Sequence, residues 1–280
     1  MDWRQTLCFL AILALVTVRT LLLKRAVDYV SPDTTAFLAG AGTLVSIAAW
    51  GGGYVAFHHV PVFSFDRVGV LVGLLKGILL ACLMLTHQRL IGRSLSVTIY
   101  AFPIAVGLIA VIEARCFDTS LSPGAIGAIG ILFVSGLAFC HYGHLSTMTL
   151  TDKRRFAQLI LLIVAFGVCD KIGIPKIGWP SYLLFTGVGT IAVTWPARYR
   201  LADQSVRTAL FIGGVWALPE LFFNYALQAW LPVAYGYLAI ALRVPVLMVI
   251  SARTYGEGKM REQLVFGLMA MAGVAMLFVR

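Results

Sequence analysis

Long apolar stretches recur along this chain, separated by short polar breaks. Runs of about 17–23 residues with few charges are long enough to cross a bilayer core of about 30 Å as helices. The pattern predicts ten such runs: 5–23, 35–57, 68–86, 95–113, 124–141, 155–171, 180–196, 208–226, 232–251 and 263–279. The connections between them are short and leave no room for a soluble domain. The expected fold class is therefore an all-α integral membrane protein, with the first run retained as a span. The region before that run holds a single basic residue, Arg4, and the run ends in "LLLKRAVDYV" without a small-residue cleavage site.

The two halves of the chain resemble each other weakly. "KRAVDYVSPDTTAFLAGAGTLVSIAAW" from Lys24 aligns without a gap to "KIGIPKIGWPSYLLFTGVGTIAVTW" from Lys171. Lys24 then falls on Lys171, Gly40 on Gly187, Gly42 on Gly189 and Thr43 on Thr190. Further on, Arg67 falls on Arg207, Gly73 on Gly213, Gln88 on Gln228, Pro103 on Pro245, and Gly130 and Gly136 on Gly267 and Gly273. An ordered series with slowly drifting spacing points to a duplication, with repeats 1–147 and 148–280 forming one membrane domain. Five spans per repeat is odd, so the second repeat enters the membrane inverted. Inverted repeats are a transporter signature, with the substrate site near the midplane between them.

Composition adds to this picture. The chain is 60% hydrophobic and 12% charged, against about 25% charged in soluble domains. Its net charge of +10 fits basic loops at a lipid surface rather than nucleic acid. Five cysteines, Cys8, Cys82, Cys116, Cys140 and Cys169, are scattered without a CxxC or Cys/His cluster. His58–His59 has no third ligand nearby, so neither a metal nor another cofactor is expected. No GxSxG, HExxH or P-loop is present, and the chain is not read as an enzyme.

Residues 100–139, "YAFPIAVGLIAVIEARCFDTSLSPGAIGAIGILFVSGLAF", resemble the fourth-to-fifth span signature of the drug/metabolite transporter superfamily in its EamA-like form. Pro103, Glu113, Leu121-Ser122-Pro123 and Gly130/Gly136 carry the resemblance. Pro245, Gly256-Glu257, Gly267 and Gly273 repeat it, and it covers essentially the whole chain. Ile112, Ala114 and Gly258 depart from the pattern at the helix ends. The resemblance implies ten spans in two five-span halves. It implies that Glu113 and Glu257 cap the ends of the fourth and ninth helices. It also implies a basic residue in span 9 facing an anionic substrate, with Arg243 at that position and Leu242 where a lysine often neighbours it.

Charges inside the runs carry the chemistry. An ionised group at the bilayer centre costs at least about 2.5–3.5 kcal/mol, so such groups face a cavity or a partner. Arg19, Lys76 and Arg243 stand against one acid recognised inside a run, Glu220, and the surplus favours an anionic ligand. Arg19 is near enough to the end of its run to snorkel, and Lys76 is placed to pair with Glu220. A stripe of Gly69, Gly73 and Gly77, matched by Ala209, Gly213 and Ala217, shares a face with Lys76 and Glu220. Arg243 offers a rigid donor fork suited to phosphate or carboxylate, with Gly236, Ala239, Ile240, Val246 and Leu247 on its face of a continuous helix. Candidate substrate-binding residues are Arg243, Lys76, Glu220, Arg19, Asn224, Tyr100 and Tyr237. Tyr225, Tyr235, Trp50 and Trp216 are further candidates for the cavity wall, and Glu220 is a candidate proton carrier.

The expected function is a secondary transporter or flippase for an anionic metabolite or phospholipid-like, lipid-linked substrate. Its expected place is the lipid bilayer of a bacterial inner membrane, as monomer or homodimer. The alternatives are export of a neutral or zwitterionic metabolite such as an amino acid, a membrane subunit that transports nothing, and an intramembrane enzyme. Basic residues concentrate after odd-numbered runs (Lys24, Arg25; Arg89, Arg93; Lys153, Arg154, Arg155; Arg198, Arg200, Arg207; Arg253, Lys259, Arg261). By the positive-inside rule both termini then lie outside, whereas the resemblance implies both inside.

Overall fold

A computed structural model describes residues 3–58, 62–118, 120–203, 206–257 and 260–276. His59, Lys259, Arg280 and the end of the 263–279 run lie outside the described residues. The described chain is helical throughout: α1 (Trp3–Ala26), α2 (Pro32–His58), α3 (Arg67–Arg93), α4 (Leu95–Cys116), α5 (Pro123–Tyr142), α6 (Leu150–Thr194), α7 (Val206–Ala229), α8 (Val233–Ala241), α9 (Val244–Thr254) and α10 (Met260–Met276). Eight helical stretches are long and apolar enough to cross a membrane. Their outward faces carry large apolar side chains such as Leu71, Leu75, Val111, Val134, Leu161, Leu210 and Leu218, which water would not tolerate over so much surface. This is a multi-pass membrane protein.

Local chemistry sets the helix starts. Asp66 accepts from the Gly69 N–H at 3.0 Å, Ser94 from Val97 at 3.2 Å and Ser122 from Ala125 at 3.2 Å. Each satisfies a donor with no partner inside its own helix. Pro123 follows Ser122 at the first turn of α5, where a missing N–H is harmless.

Two of the expected runs are fused and another is broken. The α6 segment has 45 residues and would be about 68 Å long if straight, twice the bilayer core. It is not straight. Gly178 has φ 71° and ψ 156°, a left-handed backbone open to glycine but strained for other residues. A straight helix would separate residues 170 and 182 by about 18 Å. Instead, Lys76 Nζ lies 2.6 Å from the Asp170 carboxylate and 4.7 Å from the Tyr182 ring centroid, and Gly173 abuts that ring. The chain therefore folds back at Gly178 into two antiparallel arms. Gln228 Oε1 accepts the Trp179 N–H at 2.7 Å, replacing a bond lost at the reversal.

The 232–251 run, expected as one helix, is interrupted at Leu242–Arg243 between α8 and α9. Pro245 has no N–H to give to the Ala241 carbonyl, and its ring crowds that carbonyl. Val246, expected beside Arg243, is half exposed on the outer face.

The core is built around α4 and α8, which are almost wholly buried. The helix α4 packs on α5, α6, α8 and α9; α1 packs on α7 and α8; α10 packs outside on α5 and α9. Small residues set the closest approaches. The Gly69–Gly73–Gly77 stripe lies along α6, with Gly69 at the end of the first arm, on Ile177, and Gly73 and Gly77 against the second arm, at Phe185 and Gly189. Gly42 meets Gly213 so closely that a Cβ there would sit 2.5 Å from the Gly213 backbone. Gly42→Ala must therefore push α2 off α7, and should cost about 1–3 kcal/mol. Gly214→Ala on the same α7, with nothing within 4 Å, should be neutral or slightly stabilising. Melting of the two purified variants in detergent checks the contrast.

Candidate functional site

A narrow internal cavity lies where α1, α3, α4, α6, α7 and the α8–α9 break meet. It offers about 40 Å³ to the centres of water-sized molecules, room for a few waters or a small oxyanion head. Its walls are mostly apolar, from Leu80, Leu83, Phe102, Ile163, Phe166 and Phe223. Its polar groups are Arg19, Thr20, His87, Trp216, Glu220, Tyr237 and Arg243.

Each basic residue inside has a different solution. Arg19 does not snorkel. It turns inward, and its Nη1 donates to Glu220 Oε1 at 2.7 Å while its guanidinium lies over the Trp216 ring at 4.3 Å. The length of α1, continuing to Ala26, carries Arg19 deep enough to do this. Lys76, fully buried, does not pair with Glu220. Its partner is Asp170 at 2.6 Å, with Asn224 Oδ1 at 3.3 Å and the rings of Phe166 and Tyr182 closing over the ammonium. Asn224 donates to Glu220 Oε2 at 3.4 Å, and the Tyr237 hydroxyl donates to Asp170 Oδ2 at 2.8 Å. The polar side chains thus run in one chain, Arg19–Glu220–Asn224–Lys76–Asp170–Tyr237. Lys76 and Asn224 belong to this chain and stand behind the cavity wall rather than on it.

Arg243 is the exception. It is 1% exposed, and no carboxylate reaches it among the described residues. Its Nη1 donates to Thr20 Oγ1 at 2.7 Å and to the Val16 carbonyl at 3.5 Å, and its guanidinium lies 4.2 Å from the Phe102 ring centroid. Its Nε and Nη2 have no hydrogen-bond partner. His87 Nδ1 and Trp216 Nε1, also on cavity-lining residues, are buried and unpartnered as well. The Glu220 oxygens are already engaged. The unused hydrogen-bonding capacity around this cavity is therefore concentrated on nitrogen, from three separate elements.

Of the expected site residues, the structure gathers Arg243, Glu220, Arg19 and Tyr237 on the cavity, with Lys76 and Asn224 one bond away. Tyr100 does not belong there. It stacks on Phe139 at 4.1 Å, meets Phe266 edge-on and shares a hydrogen bond with Ser135 on α5. Aromatic packing at the outer helices, rather than a ligand, occupies its ring. Tyr225 and Trp50 pack on Trp179, and Tyr235 bonds Ser122. Three residues not singled out from the sequence complete the site: Asp170, His87 and Thr20.

Two carboxylates outside the cavity form matching clamps. Glu113, at the end of α4, accepts the Ala234 N–H in the first turn of α8 at 2.8 Å and pairs with Lys171 at 3.2 Å. Glu257, just past α9, accepts the Ser96 N–H in the first turn of α4 at 3.1 Å. It also binds Ser94 and Ser251 and pairs with Lys24 at 3.1 Å. Each carboxylate thus neutralises a lysine and sits at the positive end of a helix dipole. The chain matches no family model and no curated protein.

Lys76 and Asp170 form a fully buried pair, so removing one charge strands the other. Lys76→Met should cost about 3–5 kcal/mol, and Lys76→Met/Asp170→Leu should recover most of that loss. Denaturant unfolding of both variants in mixed micelles tests this, and equal losses would remove the pair from its structural role.

Proposed function

We propose that this protein is a secondary transporter or flippase of the drug/metabolite transporter type, moving a small anionic metabolite or the anionic head of a lipid-linked intermediate by alternating access. The observation that carries the reading is Arg243: a permanently charged, buried guanidinium with two unpartnered nitrogens on a cavity, where every other buried basic side chain described has its own carboxylate. An oxyanion would supply the missing charge and accept from Arg243, Trp216 and His87 together.

The architecture supports the same reading as ten spans in two inverted repeats. Eight stretches are long and apolar enough to span, and the reading of ten takes the α6 arms separately, α8–α9 as one broken span, and α10 as the last crossing. Lys24 aligns with Lys171 in the internal repeat, and these lysines are held by Glu257 and Glu113 in matching clamps. In each clamp the carboxylate comes from one half, and the lysine and the capped helix come from the other. A span broken at the membrane midplane beside a buried charge is a recurring transporter device. A bacterial inner membrane is the setting in which we place the protein.

A second reading has one observation in its favour. Glu220 lines the same cavity as Arg243, so a zwitterion such as an amino acid could set its carboxylate on Arg243 and its ammonium near Glu220.

Binding of inorganic phosphate and of leucine to the purified protein separates the two. Phosphate should bind the wild type and weaken about 10–100-fold in Arg243→Ala, the worth of a charged hydrogen-bond set. Equal binding by both proteins would end the assignment of Arg243. Leucine binding without phosphate binding would favour the zwitterion.

A further inference from the structure

The buried charges do not balance. Arg19 is neutralised by Glu220 and Lys76 by Asp170, which leaves Arg243 as one uncompensated positive charge in the interior described. A bound monoanion would cancel it. A bound dianion would overshoot by one negative charge, and stranded charge in a low-dielectric interior is expensive. A proton on one of the two interior carboxylates restores neutrality.

Geometry distinguishes the two carboxylates. Glu220 faces the cavity and its arginine. Asp170 lies between the cavity and a second space. On one side, the Tyr237 hydroxyl, whose ring is part of the cavity wall, donates to Asp170 Oδ2 at 2.8 Å. On the other, Asp170 lines a vestibule of about 200 Å³. Gln228 and Pro175 are exposed at the rim of that vestibule, so solvent comes close to Asp170, whose carboxylate is itself fully covered in this conformation. Asp170 is about 12 Å along the first α6 arm from the reversal at Gly178.

The groups that bear on Asp170 come from each neighbouring helix. They are Lys76 from α3, Asn224 and Glu220 from α7, Tyr237 from α8, Tyr182 from the second α6 arm, and Cys169 and Lys171 from its own arm. From α4, Glu113 holds Lys171 rather than facing Asp170.

We propose that Asp170 is a proton-binding site that matches the charge of the cavity's occupant: a dianion at Arg243 is accompanied by one proton on Asp170, and a monoanion by none. This rests on the anion reading of the cavity. The step is simple. When the helix motion of alternating access uncovers Asp170 on its vestibule side, water there delivers a proton to the carboxylate, which becomes a neutral acid. Lys76 keeps its own proton and its contact, now as an ammonium bound to a neutral oxygen. The Tyr237 hydroxyl can rotate to accept from the new acid O–H. No other bond forms or breaks, and the two cations left without partners, Lys76 and Arg243, offset the dianion. The protein would then carry a dianion together with a proton, and a monoanion alone.

Sulfate and nitrate serve as probes, because neither changes charge near neutral pH. Calorimetric titration of the detergent-solubilised full chain near pH 7, in two buffers of different ionisation heat, counts the protons taken up on binding. Sulfate should take up about one proton in the wild type and none in Asp170→Asn, by proton linkage. Nitrate should take up none in either protein. His87→Gln removes the titratable imidazole on the cavity wall and, though it weakens sulfate binding, should keep about one proton taken up per sulfate bound, by the same linkage. Uptake is compared per anion bound in every variant. Should Asp170→Asn fail to fold, Lys76→Met/Asp170→Leu removes the pair as a neutral unit and should bind sulfate without a proton. Sulfate binding without proton uptake in the wild type overturns the proposal. So does uptake that survives the Asp170 variants or disappears in His87→Gln. Absence of any anion binding would instead bring down the anion reading, and this proposal with it.

Discussion

A charge inside a membrane protein must find an opposite charge, and the arrangement of this interior follows from that constraint. Three basic side chains lie buried among apolar helices, where water cannot solvate them. Glu220 answers Arg19 and Asp170 answers Lys76. Both answers need helices far apart in sequence: α1 must lie by α7, and α3 by the first arm of α6. The fold-back at Gly178 also brings Tyr182 over Lys76, so one glycine backbone helps to enclose the ammonium. Aromatic faces add to this environment, with Trp216 under Arg19, Phe166 and Tyr182 around Lys76, and Phe102 under Arg243. Such contacts gain strength when desolvated.

Arg243 departs from this rule, and its local backbone gives a reason. Pro245 interrupts the helix, and Arg243 stands at the break between α8 and α9. It leans on a hydroxyl and a carbonyl of α1, Thr20 and Val16, instead of on an acid. These neutral acceptors orient the guanidinium without cancelling its charge. Pro103 occupies the aligned place in α4, where the helix continues and the residue aligned with Arg243 is Ala101. The proline is common to both halves, and the charge belongs to one.

Much of this was legible in the sequence, and the failures share a cause. Apolar length located the helices, the glycine stripe on α3 identified a packed face, and the buried positions of Lys76, Glu220 and Arg243 followed from their depth in apolar runs, whereas Arg19 reads as able to snorkel. The misses lie at the ends of runs. Asp170 stands in the last turn of the 155–171 run and reads as part of its polar edge, yet the helix continues to Ile177 and Asp170 is buried. His87 lies just past the 68–86 run, yet α3 continues to Arg93. A helix does not stop at a charged residue whose partner is waiting in the interior, and the partner is set by tertiary structure. The pairing of Lys76 was misassigned because the packing of α3 on the first arm of α6, which brings Asp170 to it, is set by tertiary structure. Tyr100 was misplaced because polarity alone cannot tell a ligand-facing hydroxyl from one that bonds a neighbouring serine.

The two carboxylate clamps bear on the order in which the molecule is made. Ser96 and Lys24 leave the ribosome early, but Glu257, which holds both, is synthesised more than 150 residues later and after most of the helices have entered the bilayer. Glu113, in turn, waits for Lys171 and Ala234. The starts of α4 and α8 are thus completed only by carboxylates far away in sequence. Until Glu257 arrives behind α9, Lys24 is without its acid and the start of α4 without its full cap. Such an intermediate has polar groups to shelter, and a quality-control machinery that reads exposed intramembrane polarity would see an unfinished chain until Glu257 is in place.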